Sequence, residues 1–152
     1  MKKKICLLLF VATCLLGVGS YNSAQAQTKL GVRGGIYFEQ DEVFAGAHFL
    51  HKISRRIMFN PNFEYVFVDP GNLFTLNIDA HYDLPSTSNT IFHVGGGLGI
   101  SRASFNGNSN TETAPNLLAG MSFGRRGTIP FIQLKVMFFD ETQLALAAGL
   151  TF

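Results

Sequence analysis

Few residues of this sequence could bind a metal or take part in acid–base chemistry, and three of them stand close together. Asp79, His81 and Asp83 occupy alternate positions, so they fall on one face of a single predicted strand. Neighbours on one face lie about 7 Å apart, because the chain rises about 3.3 Å per residue. That spacing is too wide for one tetrahedral zinc ion unless another strand supplies a ligand. We therefore predict no metal site and no cofactor.

Motifs of enzymes and nucleotide-binding proteins give no stronger signal. None of the four histidines begins a His-x-Ser pattern, which is typical of a lipid-modifying barrel enzyme. The glycine-rich run Gly95–Gly99 is not followed by the Lys-Ser/Thr of a phosphate-binding loop. It is better interpreted as small residues in a crowded strand. We predict that the chain is not an enzyme.

Several other ionisable side chains lie on the same, less apolar face of the predicted strands as Asp79, His81 and Asp83. One interpretation is a metal site, a proton-conducting file or a gate. The other is a structural network in which acids and bases satisfy each other, since an isolated charge in a water-poor interior is costly. Glu64 is then expected to pair with Arg33 or Lys135. The predicted network comprises Arg33, Glu64, Asp79, His81, His93 and Lys135, with Asp83 on the same face.

The elements that must position these residues are short strands. From Lys29 onward, segments of about ten residues alternate with period two and are separated by turn signals, as tilted membrane strands require. Residues 102–113, rich in Asn, Ser and Thr, are the longest predicted loop, and Pro61 weakens the pairing of the third strand. The segments number eight, and this even number of strands predicts an all-β, eight-stranded antiparallel up-and-down transmembrane β-barrel without exposed edges. The predicted strands are Lys29–Phe38, Val43–Leu50, Arg56–Val68, Leu73–Leu84, Thr90–Ser101, Ala114–Phe123, Thr128–Phe139 and Gln143–Phe152.

The alternation also predicts which face points outward. In the segment Leu73–Leu84, six apolar residues alternate with polar ones without an error. Charged residues are 14% of the chain, and the second face holds mainly Gly, Asn, Thr and Ser, which is too little charge for a solvated exterior. An eight-stranded barrel has an interior only wide enough for side chains. We therefore place the apolar face outward in lipid, with a soluble lipocalin-like barrel as the alternative.

The N-terminus has the three-part order of a secretory signal peptide. Lys2–Lys4 precede the apolar stretch Ile5–Val18, and Ala24-Gln25-Ala26 is a cleavage site. This predicts a signal peptide at residues 1–26 and a barrel domain at residues 27–152, the alternatives being a membrane anchor or a lipid-modified Cys14. Both cysteines leave with the signal. Without the three lysines, 9 basic residues face 10 acidic ones, so nucleic-acid binding has no electrostatic basis.

The C-terminal Leu150-Thr151-Phe152 resembles the terminal signature of bacterial outer-membrane β-barrels, which the barrel-assembly machinery recognises. With the signal peptide and the strand count, the chain resembles the small OmpX/OmpA-like outer-membrane barrels. The resemblance implies that Phe152 is an assembly signal and that both termini lie in the periplasm. Residues 39–42, 69–72, 102–113 and 140–142 would then face outward and carry most of the acids. The short loops make a large ligand site or a protruding sheet unexpected.

Together these observations predict a monomeric barrel in the outer membrane of a diderm bacterium, with a structural or surface-interaction role and a lumen filled by side chains. Its expected partners are outer-membrane lipids, lipopolysaccharide and the barrel-assembly machinery. The acidic loops are interpreted either as divalent-cation bridges to lipopolysaccharide or as solvated loop charges. A narrow channel for protons, ions or small solutes is the alternative, and a secreted lipocalin-like ligand-binding barrel is a third possibility.

Overall fold

The structure, a computed structural model, describes residues 28–69, 71–105 and 108–152. The predicted signal peptide at residues 1–26 lies outside the described residues. Within them, the structure contains no helix long and apolar enough to cross a membrane. The strands are β1 (Thr28–Tyr37), β2 (Glu42–Lys52), β3 (Ile57–Val66), β4 (Asn72–Asp83), β5 (Thr90–Phe105), β6 (Asn108–Phe123), β7 (Ile129–Phe138) and β8 (Thr142–Thr151).

The eight strands form one closed antiparallel barrel in sequence order, with β1 paired to both β2 and β8. This confirms the predicted fold class. We call the end where Thr28 and Phe152 lie the termini end, and the opposite end the loop end. Gly124 and Gly127, in the predicted turn between β6 and β7, have φ of 123° and 67°, backbone angles that glycine adopts without strain.

The strands are strongly tilted. Tyr37 of β1 pairs directly with Glu42 of β2. The chain of paired residues can also be traced from Tyr37 in the other direction, through β8, β7, β6, β5, β4 and β3. This route reaches β2 at Lys52, ten residues beyond Glu42. Such a stagger closes a narrow barrel whose interior accommodates side chains only.

The predicted faces are confirmed. Alternate apolar side chains form a belt around the exterior, in which Leu76, Ile78, Leu98, Leu117 and Leu134 are each more than 40% exposed. The interior is mostly polar, and every buried ionisable side chain among the described residues points into it. The apolar belt and polar lumen reverse the arrangement of a soluble protein, and they argue against the lipocalin-like alternative.

Pro61 interrupts the pairing of β3 with one of its two neighbours. The pairing of β2 with β3 runs from Phe44 to His48 and resumes at His51, so it is interrupted opposite Pro61. The pairing of β3 with β4 continues through Pro61. A proline has no N–H to donate to one of its two neighbours, which explains the one-sided gap.

The predicted loop at residues 102–113 is wrong. β5 continues to Phe105 and β6 begins at Asn108, with Arg102 paired to Thr111 and Ser101 to Glu112. β6 pairs with β7 only between Asn116 and Ser122, so this hairpin extends past the end of β7. Its polar composition suggested a loop, but strand residues beyond a lipid belt need no apolar face. The expectation of uniformly short loops without a protruding sheet is therefore corrected.

Candidate functional site

The lumen at the loop end is closed by an apolar plug. The plug consists of buried side chains from the loop-end parts of β1, β2, β3, β7 and β8, with Val68, Leu73 and Phe139 packed against them. The rings of Tyr37 and Phe44 lie 5.1 Å apart and tilted. Its buried members are Tyr37, Phe44, Val66, Met137, Ala145 and Ala147.

Below the plug, Glu64 is held by two partners. The Tyr37 hydroxyl donates a hydrogen bond of 2.5 Å to Glu64 Oε2. Arg33 Nε lies 3.4 Å from Glu64 Oε1, which is an ion-pair contact without hydrogen-bond geometry. The three Arg33 side-chain nitrogens have no hydrogen-bond partner among residues 28–69, 71–105 and 108–152. The Arg33 guanidinium also lies 5.7 Å from the centre of the Phe131 ring. The charge of Glu64 is therefore balanced within the lumen.

Asp79 is the centre of a second group, which we call the Asp79 cluster. Lys135 Nζ lies 2.7 Å from Asp79 Oδ2, and Asn62 donates to the same oxygen at 2.9 Å. Asn116 donates to Oδ1 at 2.8 Å, and Asn77 donates to Asn62 Oδ1 at 3.0 Å. Side chains from β3, β6 and β7 thus converge on one carboxylate of β4, which ties four strands of the barrel together.

The termini end of the lumen contains three histidines. His48 Nε2 forms a 2.9 Å hydrogen bond with Thr151 Oγ1. The rings of His81 and His93 lie 4.5 Å apart at an angle of 33°. His81 Nε2 also lies 3.6 Å from Asp83 Oδ1. We call His81, Asp83 and His93 the histidine cluster.

All six residues of the predicted network are buried in the lumen. The structure does not join them into one network but into three pairs: Arg33 with Glu64, Lys135 with Asp79, and His81 with His93. Of the two partners proposed for Glu64, it pairs with Arg33. The C-terminal Phe152 donates its backbone N–H to Leu30 O at 2.8 Å, and its role in assembly stays a prediction.

Several lumen residues were missing from the predicted network. Tyr37, Asn62 and Asn116 supply hydrogen bonds to the two buried acids. Their position on the inward face could be found from alternation, but their partners depend on the stagger between distant strands. His48 could also have been found, because it shares a face with Phe44, two alternations earlier on β2.

No arrangement typical of a hydrolase occurs among the described residues. Residues 120–124 have the G-x-S-x-G spacing of a nucleophile elbow, but they end strand β6 and no helix follows. Ser122 forms no hydrogen bond to a histidine within the described part of the chain. On the outer face, His51 Nδ1 lies 2.8 Å from Thr28 Oγ1, without a carboxylate to orient the ring.

An open cleft lies at the termini end, next to the histidine cluster. Its volume is about 660 Å³, and its lining includes Asp83, Arg55, Arg56 and Arg125. The Arg125 guanidinium donates to the carbonyl oxygens of the β4–β5 turn, at 2.6 Å to Ser86 O and 3.0 Å to Ser88 O. Of the histidine cluster, Asp83 lines this cleft, whereas His81 and His93 are buried behind it.

Comparisons with known proteins agree on the fold. The N-terminal β-barrel domain of Pseudomonas aeruginosa OprF is 16% identical with a TM-score of 0.67, covering 82% of this chain and 96% of that one. Neisserial surface protein A is 12% identical with a TM-score of 0.67, covering 85% of this chain and 98% of that one. The outer membrane enzyme PagL is 8% identical with a TM-score of 0.57, covering 82% of this chain and 98% of that one.

No family model matches the sequence, and no curated protein sequence matches it. At identities this low, the comparisons show a shared fold and nothing about a shared activity. The proteins with this fold include an enzyme and proteins that are not described as enzymes. The chain has the fold of the small eight-stranded β-barrel proteins of the bacterial outer membrane.

Proposed function

We propose that this chain is an integral outer-membrane barrel of a diderm bacterium that serves as a structural or surface-interaction element and does not conduct. The observation that carries the proposal is the continuous apolar belt around a closed barrel. Exposed apolar surface of this extent is stable in lipid and not in water. The lumen supports a non-conducting role, because paired charges fill its middle and the apolar plug closes the loop end.

Surface interaction is supported by the loop end. The acids Glu39, Asp41, Asp69, Asp140 and Glu141 lie in or beside its turns, and the β5–β6 hairpin projects beyond the wall. Carboxylates at this position suit divalent-cation bridges to the phosphates of lipopolysaccharide. The proposal includes removal of residues 1–26 on export, recognition of Phe152 by the barrel-assembly machinery, and a monomeric state in the membrane.

The proposal that the chain is not an enzyme is supported by the chemistry of its outer face. The Thr28–His51 pair lacks an acid, and the other three histidines point into the lumen. Lipid A from cells with and without the protein should have the same acyl chains by mass spectrometry. A difference that disappears in a His51→Gln variant would contradict this part of the proposal.

The test of the main proposal is heat modifiability. We expect the protein in the outer-membrane fraction, with an unheated band that migrates differently from the boiled band on SDS gels, because a closed barrel resists the detergent. A soluble periplasmic protein without a shift would refute membrane insertion.

A narrow channel is a second candidate, favoured by buried lumen donors without a protein partner, such as the Arg33 terminal nitrogens and Gln133 Nε2. In planar bilayers we expect no current steps from the wild-type protein. The double variant Phe44→Ala/Met137→Ala, which opens the apolar plug, is the matched positive control and should show steps. Steps from the wild type would establish the channel in place of the structural role.

A further inference from the structure

We propose that the histidine cluster binds one divalent transition-metal ion at the termini end of the lumen. The spacing of residues on β4 alone argued against a metal site, but β5 supplies the missing ligand. Asp83 pairs with His93 across the β4–β5 ladder, which brings His93 beside His81. One ligand atom from each of His81, Asp83 and His93 lies within 4.8 Å of the other two.

The two imidazoles are buried without the partners that buried polar groups normally have. His81 is 7% and His93 4% exposed. His81 Nδ1, His93 Nδ1 and His93 Nε2 form no hydrogen bond to the described residues. Buried polar atoms are nearly always satisfied by protein, water or an ion. Each neutral imidazole has one nitrogen lone pair, and with the Asp83 carboxylate beside them these lone pairs are available to a metal.

Glycines on the neighbouring strands make room for this arrangement. His81 pairs with Gly95 and His93 pairs with Gly120. A Cβ on Gly120 would come within 2.6 Å of His93 Nε2, and a Cβ on Gly95 within 2.6 Å of the His81 Cα. The His93 imidazole thus occupies space above Gly120, and the absence of a side chain on Gly95 leaves room beside the Cα and Cβ of His81.

The cleft gives a cation access to Asp83, although three arginines also line it. Asp83 is the ligand nearest solvent, with 19% of its side chain exposed, and it lines the open cleft. The nearby Arg33 is paired with Glu64, whereas the Arg55, Arg56 and Arg125 side chains at the cleft keep their positive charge. An ion entering from the termini end meets Asp83 first and the imidazoles behind it.

The donor set selects the class of ion. Two imidazole nitrogens and one carboxylate oxygen suit Zn²⁺, Cu²⁺, Ni²⁺ or Co²⁺, whereas Mg²⁺ and Ca²⁺ prefer all-oxygen sites. Small rotations of the three side chains would bring the ligand atoms to the separation that a tetrahedral ion needs. Three protein ligands leave a fourth position for water or for a ligand from solvent.

The test is a calorimetric titration of untagged, detergent-purified protein with Zn²⁺ after removal of metals by a chelator. We expect one Zn²⁺ per chain, at least tenfold weaker binding in His81→Gln and in His93→Gln, and no measurable binding of Mg²⁺. His51→Gln is the matched control, because His51 lies at the same end but on the outer face, and it should bind like the wild type. Absence of wild-type binding, or binding that survives the double variant His81→Gln/His93→Gln, would overturn the site.

Folding of each variant is checked by the heat-modifiable band, and a second measurement decides if a variant does not fold. Cu²⁺ added to the wild-type protein should give an electron paramagnetic resonance spectrum with coupling to two imidazole nitrogens. A spectrum without nitrogen coupling would overturn the proposal independently of any variant. Neither outcome depends on the proposed structural role, whose test is the gel shift.

Discussion

The Asp79 cluster and the histidine cluster occupy successive inward positions of the same strand, yet they are built in opposite ways. Asp79 receives a lysine and two asparagines from three other strands. Two residues further along, His81 meets His93 and Asp83, and three imidazole nitrogens of the pair form no hydrogen bond within the described part of the chain. Both sites are buried and polar. The hydrogen-bond acceptors of Asp79 are occupied by side chains of the barrel, whereas most imidazole nitrogens of the histidine cluster are not.

The difference indicates which buried groups stabilise the barrel and which are open to a ligand. A saturated buried carboxylate is costly to disturb, because removing a partner leaves an uncompensated charge. An unsaturated imidazole contributes little to the fold, and replacing it removes an unsatisfied polar group. Three substitutions test this contrast, each by urea unfolding of the protein in lipid vesicles with a chelator present.

The largest effect is expected for Lys135→Met, which leaves the buried charge of Asp79 without its cationic partner. We expect a loss of about 3–5 kcal/mol in the free energy of unfolding. Gln133→Met is the matched control, since Gln133 is the preceding inward residue on β7 and its Nε2 has no partner; it should change stability little. The double variant Asp79→Asn/Lys135→Met should recover part of the loss. Equal effects of Lys135→Met and Gln133→Met would abolish the proposed distinction.

A smaller loss is expected for Tyr37→Phe, which removes one hydrogen bond to the Glu64 carboxylate but leaves the Arg33 contact. Hydrogen bonds to charged groups contribute about 1.5–3 kcal/mol, and the loss of stability should fall in that range. Tyr82→Phe serves as the control, because its hydroxyl meets Arg56 on the exposed surface. If the two variants lose the same amount, the hydrogen bond inside the lumen is worth no more than one at the surface.

The smallest effect is expected for His93→Leu, a change within about 1 kcal/mol in either direction. The substituent fills similar space and buries no unpaired nitrogen. Added Zn²⁺ should then raise the unfolding midpoint of the wild type but not of this variant, because an ion that binds only the folded state stabilises it. A loss as large as that of Tyr37→Phe, measured without metal, would indicate that the imidazoles already have structural partners.

The strands and their outward faces could be predicted because alternation is a local property. The alternation from Phe74 to Leu84 indicates a strand facing lipid without any knowledge of the neighbouring strands. Pro61 likewise indicates a missing hydrogen bond to one neighbour. The extended β5–β6 hairpin was missed because alternation indicates burial, and residues 102–104 and 108–113 are mostly exposed on both faces. Polar strand and polar loop then look alike in composition.

The partners inside the lumen could not be predicted, because they depend on register. Whether His93 meets His81, or Lys135 meets Asp79 in place of Glu64, follows from the stagger between strands. A shift of two residues in one ladder preserves every face and changes every pair. Turn residues such as Pro85 and Asn89 mark where a strand ends, but they do not specify this offset.

The ten-residue stagger of the wall also sets the thickness of membrane that the barrel matches. With about 3.3 Å per residue along a strand and about 4.8 Å between strands, this stagger over eight strands tilts them by about 40° from the barrel axis. A ten-residue strand then rises about 25 Å, which equals the height of the apolar band of outer-membrane barrels. The protein would therefore sit in a thin bilayer without deforming it, whereas a thicker membrane would have to compress around it. Each ångström of extra thickness would disfavour the thicker membrane by a fraction of a kcal/mol.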